Sequence, residues 1–422
     1  MFTLRSRPAL SLAAAASAAA LAGPLAGCGG GSSAHGAASV SPGAASSGTV
    51  PASAARSAGS GPASAGTASA GTAGSSCADR VLARLTEPQR VGQLFLVGMS
   101  GDSAGSATAA AERQYHFGSV LFAGNTAEGA SAVTATTSYV QSLANAADTG
   151  GVRFFVAANQ EGGQVQNLKG AGFPAMPSAL TQGSWSTAAL RKQAAAWGHE
   201  LRAAGVNLDL APVMDVVPEA SASSNAPIGQ LDREFGYTAS GNGAHGAAFI
   251  RGMASAGVAT SAKHFPGLGR VAGNTDFTSD VVDSVTAPGD PDLATYRSAS
   301  QAGVPFMMVA TATYAKIDPS QLAAFSPAVM RLLRSGIGFR GVIISDDLGD
   351  AAAVASVPAG ERAVRFLKAG GDMITSQSFA PADQMASTVL AKVRADPSFR
   401  ATVDGAAKKV LAAKQAYGLL PC

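Results

Sequence analysis

Two short stretches carry the side chains best placed for chemistry. Lys263-His264-Phe265-Pro266-Gly267-Leu268-Gly269 follows the apolar run 257–262, and Ser345-Asp346-Asp347-Leu348 closes the apolar run 341–345. Each delivers ionisable groups just past the end of a strand-like segment. A parallel β/α barrel builds its active site in this way, with strands packing the core and residues at their C-terminal ends facing the substrate. Lys263, His264 and Asp346 are therefore candidates to face a ligand. A carboxylate at such a place can serve as a nucleophile or as a helix N-cap. Asp347 is available as the cap, which leaves Asp346 for chemistry.

The elements that must position these groups can be read from the alternation of apolar runs with helix-length segments. Runs at 93–99, 119–125, 153–159, 205–212, 257–262, 304–310, 341–345 and 372–375 have strand character. Segments such as 187–204 and 381–394 read as helices. Strands this apolar are buried on both faces, which argues for a parallel sheet covered by helices. The fold class is α/β, with a TIM-type (β/α)8 barrel expected as a single catalytic domain over 77–422. An open doubly wound sheet is the alternative, but no phosphate-binding glycine turn opens the chain. The glycines of 267–273 have the wrong spacing for a dinucleotide turn. No internal repeat and no second domain are expected.

The chain has 422 residues and a formal net charge of +3. Arg5 and Arg7 precede an Ala/Leu-rich run that ends in Leu25-Ala26-Gly27-Cys28, the marks of a secretory signal over 1–28. Cysteine directly after Leu-Ala-Gly resembles a lipobox, in which Cys28 is acylated; the alternative is an ordinary signal peptide cut nearby. Pro24 interrupts the apolar stretch and processing removes it, so attachment rests on lipid. Residues 29–76 are almost entirely Ala, Gly, Ser, Thr and Pro. Such a segment buries too little apolar surface to offset chain entropy and reads as a disordered tether spanning roughly 35–45 Å. The expected localisation is the outer face of the cytoplasmic membrane. No Lys/Arg cluster interleaved with aromatics is present, so nucleic acid is not an expected partner. A monomer is expected.

Of three cysteines, acylation of Cys28 leaves Cys77 and Cys422, one at each end of the folded part. In a barrel the first and last elements are neighbours, and an exported protein folds under oxidising conditions. A Cys77–Cys422 disulfide is expected, against the alternative of two free thiols. His199-Glu200 resembles the start of a zinc-protease helix, but position 203 is Ala, and the remaining histidines lack ligand spacing. No metal and no cofactor are expected.

Taken together, several segments resemble the bacterial β-N-acetylglucosaminidases of glycoside hydrolase family 3. They are the Lys263–Gly269 motif, the strand end at Asp346, Leu85–Leu94, Gln160-Glu161-Gly162-Gly163-Gln164-Val165, Phe173–Ser178, Glu200–Asp215 and Asp232-Arg233-Glu234-Phe235-Gly236. Their order and spacing carry the likeness more than any one of them. The resemblance implies a retaining glycosidase, which needs a nucleophilic carboxylate and a proton donor about 5 Å apart. It assigns the nucleophile to Asp346 and sugar contacts to Lys263, His264, Arg233 and Asn159.

The chain departs from the family pattern at three places. Single-domain members carry an Asp-Ser-His triplet in the loop after the Lys-His motif, its histidine acting as acid/base; here Asn274, Thr275 and Asp276 stand there. Asp276 is the candidate general acid, provided that a dry, closed loop raises its pKa, with Asp280 and Asp283 in reserve. Asn159 replaces the usual Asp, which implies weaker, uncharged contacts to sugar hydroxyls. Leu268 replaces a frequent His and marks an actinobacterial lipoprotein branch. The function expected is an exported lipoprotein hydrolysing terminal β-linked N-acetylglucosamine, with peptidoglycan fragments as substrate and a covalent Asp346 intermediate. The alternative is a catalytically impaired sugar-binding or scaffolding lipoprotein on the same barrel.

Overall fold

The computed structural model describes residues 76–100, 110 and 113–422. Cys28, the expected signal segment and all but the last residue of the expected tether lie outside the described residues. Eight parallel strands close into a barrel in chain order: β1 Phe95–Ser100, β2 Ser119–Ala123, β3 Phe155–Ala158, β4 Leu208–Asp209, β5 Ala259–Phe265, β6 Phe306–Val309, β7 Val342–Asp347 and β8 Met373–Ser376. Strand β1 pairs with both β2 and β8, with Phe95 opposite Ile374 and Leu96 opposite Ser119. That closure removes the open-sheet alternative. Every residue of β3 and of β5 is buried, as expected for strands sandwiched between a filled interior and a helical coat.

Each apolar run read from the sequence holds one barrel strand, with shifted ends. The run at 205–212 narrows to the two residues of β4. Pro212 has no N–H to donate, so beyond Asp209 the chain continues beside β5 through single bonds, Ser261 N–H to Ala211 O and Lys263 N–H to Pro212 O. The run at 341–345 lengthens, and β7 reaches Asp347.

Helices Thr187–Ala203 and Phe379–Ala395 fall where the periodicity puts them. The first is entered through Ser186, whose side chain accepts from Ala189 N–H, a standard N-cap arrangement. The last helix, Pro397–Ala416, plugs the N-terminal end of the barrel. Its Lys414 is fully buried, and Nζ donates to Gln93 Oε1 at 2.7 Å and Gly118 O at 2.6 Å, just ahead of β1 and β2. Cys77 and Cys422 form the expected disulfide, with Cα atoms 6.1 Å apart, joining the first helix, Cys77–Arg84, to the chain end. Among the described residues, no helix is long and apolar enough to cross a membrane.

Candidate active site

At the C-terminal ends of the strands a cavity of about 250 Å³ opens, floored by Leu121, Leu210 and Met308. Asn159, Arg233, Lys263, His264, Asp276 and Asp346 all line it, so every residue assigned to catalysis or sugar contact from the sequence arrives in one place. A larger groove, about 700 Å³, lies on the outer helices Thr187–Ala203 and Ala239–Ser255; its lining has no carboxyl or imidazole group. Chemistry therefore belongs to the smaller cavity.

Asp346 and Asp347 end β7 with different surroundings. The Asp347 carboxylate is buried and accepts from Gly349 N–H at 2.9 Å, Asp350 N–H at 3.0 Å and Gln377 N–H at 3.0 Å. It closes the turn after the strand. Asp346 is half-buried, and its Oδ1 accepts from Asp347 N–H at 2.9 Å. The capping role thus falls to Asp347, and Asp346 is left facing the cavity.

The far wall is an ion cluster centred on Glu161. Arg233 grips Glu161 with two bonds of 2.8 Å through Nε and Nη2, and also donates to Pro227 O. Lys263 Nζ lies 2.6 Å from Glu161 Oε1, the oxygen that also accepts from Arg233 Nη2, and donates to Asn159 Oδ1 at 2.8 Å. Burial alone would raise Glu161; Arg233 and Lys263 outweigh it and hold the carboxyl at about 2. One anion thus aligns two cations, one with forked geometry and one as a point charge. Asn159, in the place of a second carboxylate, leaves Glu161 as the anionic partner in contact with Lys263. Glu161 was visible in the sequence only as part of a motif, and its role as an organiser was missed.

A second buried carboxylate fixes His264. Asp215 Oδ2 is 2.7 Å from His264 Nδ1, while Oδ1 accepts from His264 N–H, Leu268 N–H and the Tyr296 hydroxyl at 3.0, 3.0 and 2.8 Å. Burial would raise Asp215, but His264, Tyr296 and the backbone donor prevail and hold it below the usual carboxylate range. An ionised Asp215 makes Nδ1 the donor and leaves Nε2 as the free ring nitrogen at the cavity. Sequence reasoning passed over Asp215 too; the clue was its place at the end of the Glu200–Asp215 motif.

Asp276 enters from the loop after β5. Its main chain is pinned to the segment after β7, with Ala352 N–H on Asp276 O and Ala353 N–H on Thr275 O, both at 3.1 Å. Asn274 Oδ1 accepts from Asp276 N–H at 2.9 Å. The Asp276 carboxyl is pushed up to about 6, first by the protein atoms packed round it and then by the neighbouring Asp346 carboxylate, against the pull of His264 and Arg233. Solvent still reaches Asp276 from the cavity mouth. The expectation of a dry, closed loop is therefore corrected: the mouth is open, and the shift rests on partial burial first and on the like charge of Asp346 second. The reserve candidates fall away. Asp283 is buried in a turn, accepting from Val285 N–H, Thr286 N–H and the Thr286 hydroxyl. Asp280 is exposed and does not line the cavity.

A (β/α)8 barrel presenting two interacting carboxyls beside a Lys/Arg/His wall has the makings of a glycoside hydrolase. The chain matches the glycosyl hydrolase family 3 N-terminal domain over residues 86–413. Among solved structures it is similar to a β-N-acetylhexosaminidase from Beutenbergia cavernae, with 44% identity and a TM-score of 0.77 over 78% of this chain and 99% of that one. It is also similar to LpqI of Mycobacterium tuberculosis, at 26% identity and a TM-score of 0.66 over 80% and 95% of the two chains. Among curated sequences, the β-hexosaminidase LpqI of M. tuberculosis is 31% identical over 71% of this chain and 75% of its own length. The β-hexosaminidase of Vibrio cholerae is 34% identical over 52% of this chain, a match that spans 64% of that relative's length. The chain belongs to glycosyl hydrolase family 3, and its relatives within that family are of the β-N-acetylhexosaminidase type.

Proposed function

We propose that the protein is an exported, lipid-anchored β-N-acetylhexosaminidase that removes terminal β-linked N-acetylglucosamine, with peptidoglycan fragments as its substrate. The reaction proceeds with retention. The Asp346 carboxylate attacks C1, the glycosidic C1–O bond breaks, and the departing oxygen takes a proton from Asp276. Asp276, now ionised, accepts a proton from water as that water attacks C1, and the bond from C1 to Asp346 breaks to release the sugar. Lys263, Arg233, His264 and Asn159 hold the sugar hydroxyls. The observation that carries this reading is the pairing of Asp346 with a neighbouring carboxyl held protonated to about pH 6 in one sugar-sized cavity. Two carboxyls with separated pKa values divide the roles of nucleophile and acid. The signal-like segment ending at Cys28 and the Ala/Gly/Ser tether support export and anchoring next to cell-wall sugars.

The test uses an activated aryl N-acetyl-β-glucosaminide, which needs little acid assistance. Wild-type protein is expected to turn it over, and Asp346→Ala to lose at least about a thousandfold in kcat. Turnover no faster than that of Asp346→Ala would favour the sugar-binding alternative.

A further inference from the structure

We infer that Phe277 forms a platform for the departing sugar ring and so strengthens the preference for a pyranose leaving group over a small acyclic one. The inference rests on Asp276 being the proton donor. Phe277 is 83% exposed, and the large apolar side chains exposed among the described residues are otherwise Tyr139, Val282 and Val285, at 38–52%. A lone exposed apolar side chain is ordinary on a protein surface; Phe277 stands out because its ring borders the cavity. It sits at the cavity mouth and directly follows Asp276. A general acid must stand beside the oxygen that leaves, and Phe277, adjacent to Asp276 in the same cavity lining and open to solvent, is placed for the aglycone side. The ion cluster of Glu161, Arg233 and Lys263 occupies the wall that holds the sugar being removed.

The ring is presented by an ordered backbone. Asn274 O accepts from Phe277 N–H at 3.1 Å and Thr278 N–H at 2.9 Å, and the bonds from Ala352 and Ala353 fix the preceding residues. The flat face of a β-linked pyranose exposes axial C–H groups, slightly positive, that pack on the negative face of an aromatic ring. A small acyclic leaving group offers no such face. The occupant fitted by this geometry is the second sugar of a β-linked disaccharide or longer glycan.

The experiment compares kcat/KM for di-N-acetylchitobiose and for methyl N-acetyl-β-glucosaminide, in wild-type protein, Phe277→Ala and Phe277→Tyr. The ratio of the two is expected to fall about tenfold in Phe277→Ala and to recover in Phe277→Tyr. An unchanged ratio would overturn the platform while leaving Asp346 and Asp276 in their roles. Failure of wild-type protein to turn over either substrate would overturn the glycosidase reading itself, and the platform with it.

Discussion

Asp276 and Asp346 repel one another across the cavity, and that repulsion has a consequence for pH dependence. Asp276 must carry a proton to act as acid. With its carboxyl pushed up to about 6 by burial and by Asp346, kcat on a poor leaving group should fall as pH rises through that value. On an activated aryl glycoside the same limb should flatten, because the leaving group departs unaided. In Asp276→Asn the limb should vanish and the poor substrate should lose about 10²–10⁴-fold. An alkaline limb that survives this substitution would assign the proton to another group, and His264, fixed by Asp215, would be the next to test. At this scale the sequence was informative about which residues converge and silent on what holds them. Lys263, His264, Arg233 and Asn159 could be named from motifs. Glu161 and Asp215, which orient them, are carboxylates from distant segments, and only the closed barrel brings them within 3 Å of their partners.

The loop that follows Lys263 and His264 is tied to neighbouring segments at several points. Asn225 Nδ2 donates to Leu268 O and Val271 O, and Arg270 pairs with Asp290 and Asp292 ahead of the helix Ala294–Gln301. Gly269 lets this loop pass against Val216, since a Cβ there would stand 1.8 Å from Val216 O. Such ties arise between segments far apart in the chain, and no periodicity announces them. Strand positions, by contrast, were legible because a strand buried on both faces is a continuous apolar run; the ends were less so, as proline at 212 shows. At the opposite end of the barrel, Lys414 tests the plug formed by the last helix. Lys414→Met should leave Gln93 Oε1 and Gly118 O without their donor, costing about 1–3 kcal/mol for each buried group left unsatisfied. The expected outcome is a fall in Tm of several degrees with KM for the aryl glycoside retained, measured by thermal unfolding and steady-state kinetics.

For the whole molecule, two buried carboxyls set opposing pH trends in stability. Glu161, held at about 2 against an ordinary 4.5, contributes stability above its unfolded pKa that is lost as pH falls towards 2. Asp209 behaves in the opposite sense. It is fully buried, Oδ1 accepts from Gln160 N–H, and Oδ2 has no hydrogen-bond partner. Burial pushes it up to about 7 from 3.8. The folded protein therefore holds this proton between roughly pH 4 and 7 where the unfolded chain has released it, and stability declines with rising pH across that window. Asp209→Asn should reduce the drop in Tm between pH 4.5 and 7.5, and an equal or larger drop would contradict the assignment. The Cys77–Cys422 bridge was legible for a reason that also belongs to the whole molecule. A barrel returns its last element to its first, so the two ends of the folded part meet, as their Cα separation of 6.1 Å shows.

In the proposed mechanism Asp346 becomes covalently joined to the sugar while Asp276 serves the proton. Asp276→Ala treated with a dinitrophenyl N-acetyl-β-glucosaminide should be glycosylated readily and released slowly, since no base remains to activate water. Intact mass and peptide mapping should then find one N-acetylhexosamine on the peptide containing Asp346, removed by added azide and absent when Asp346→Ala is combined with Asp276→Ala. An adduct on a different residue, or turnover of the activated substrate in the protein lacking both carboxyls, would contradict it.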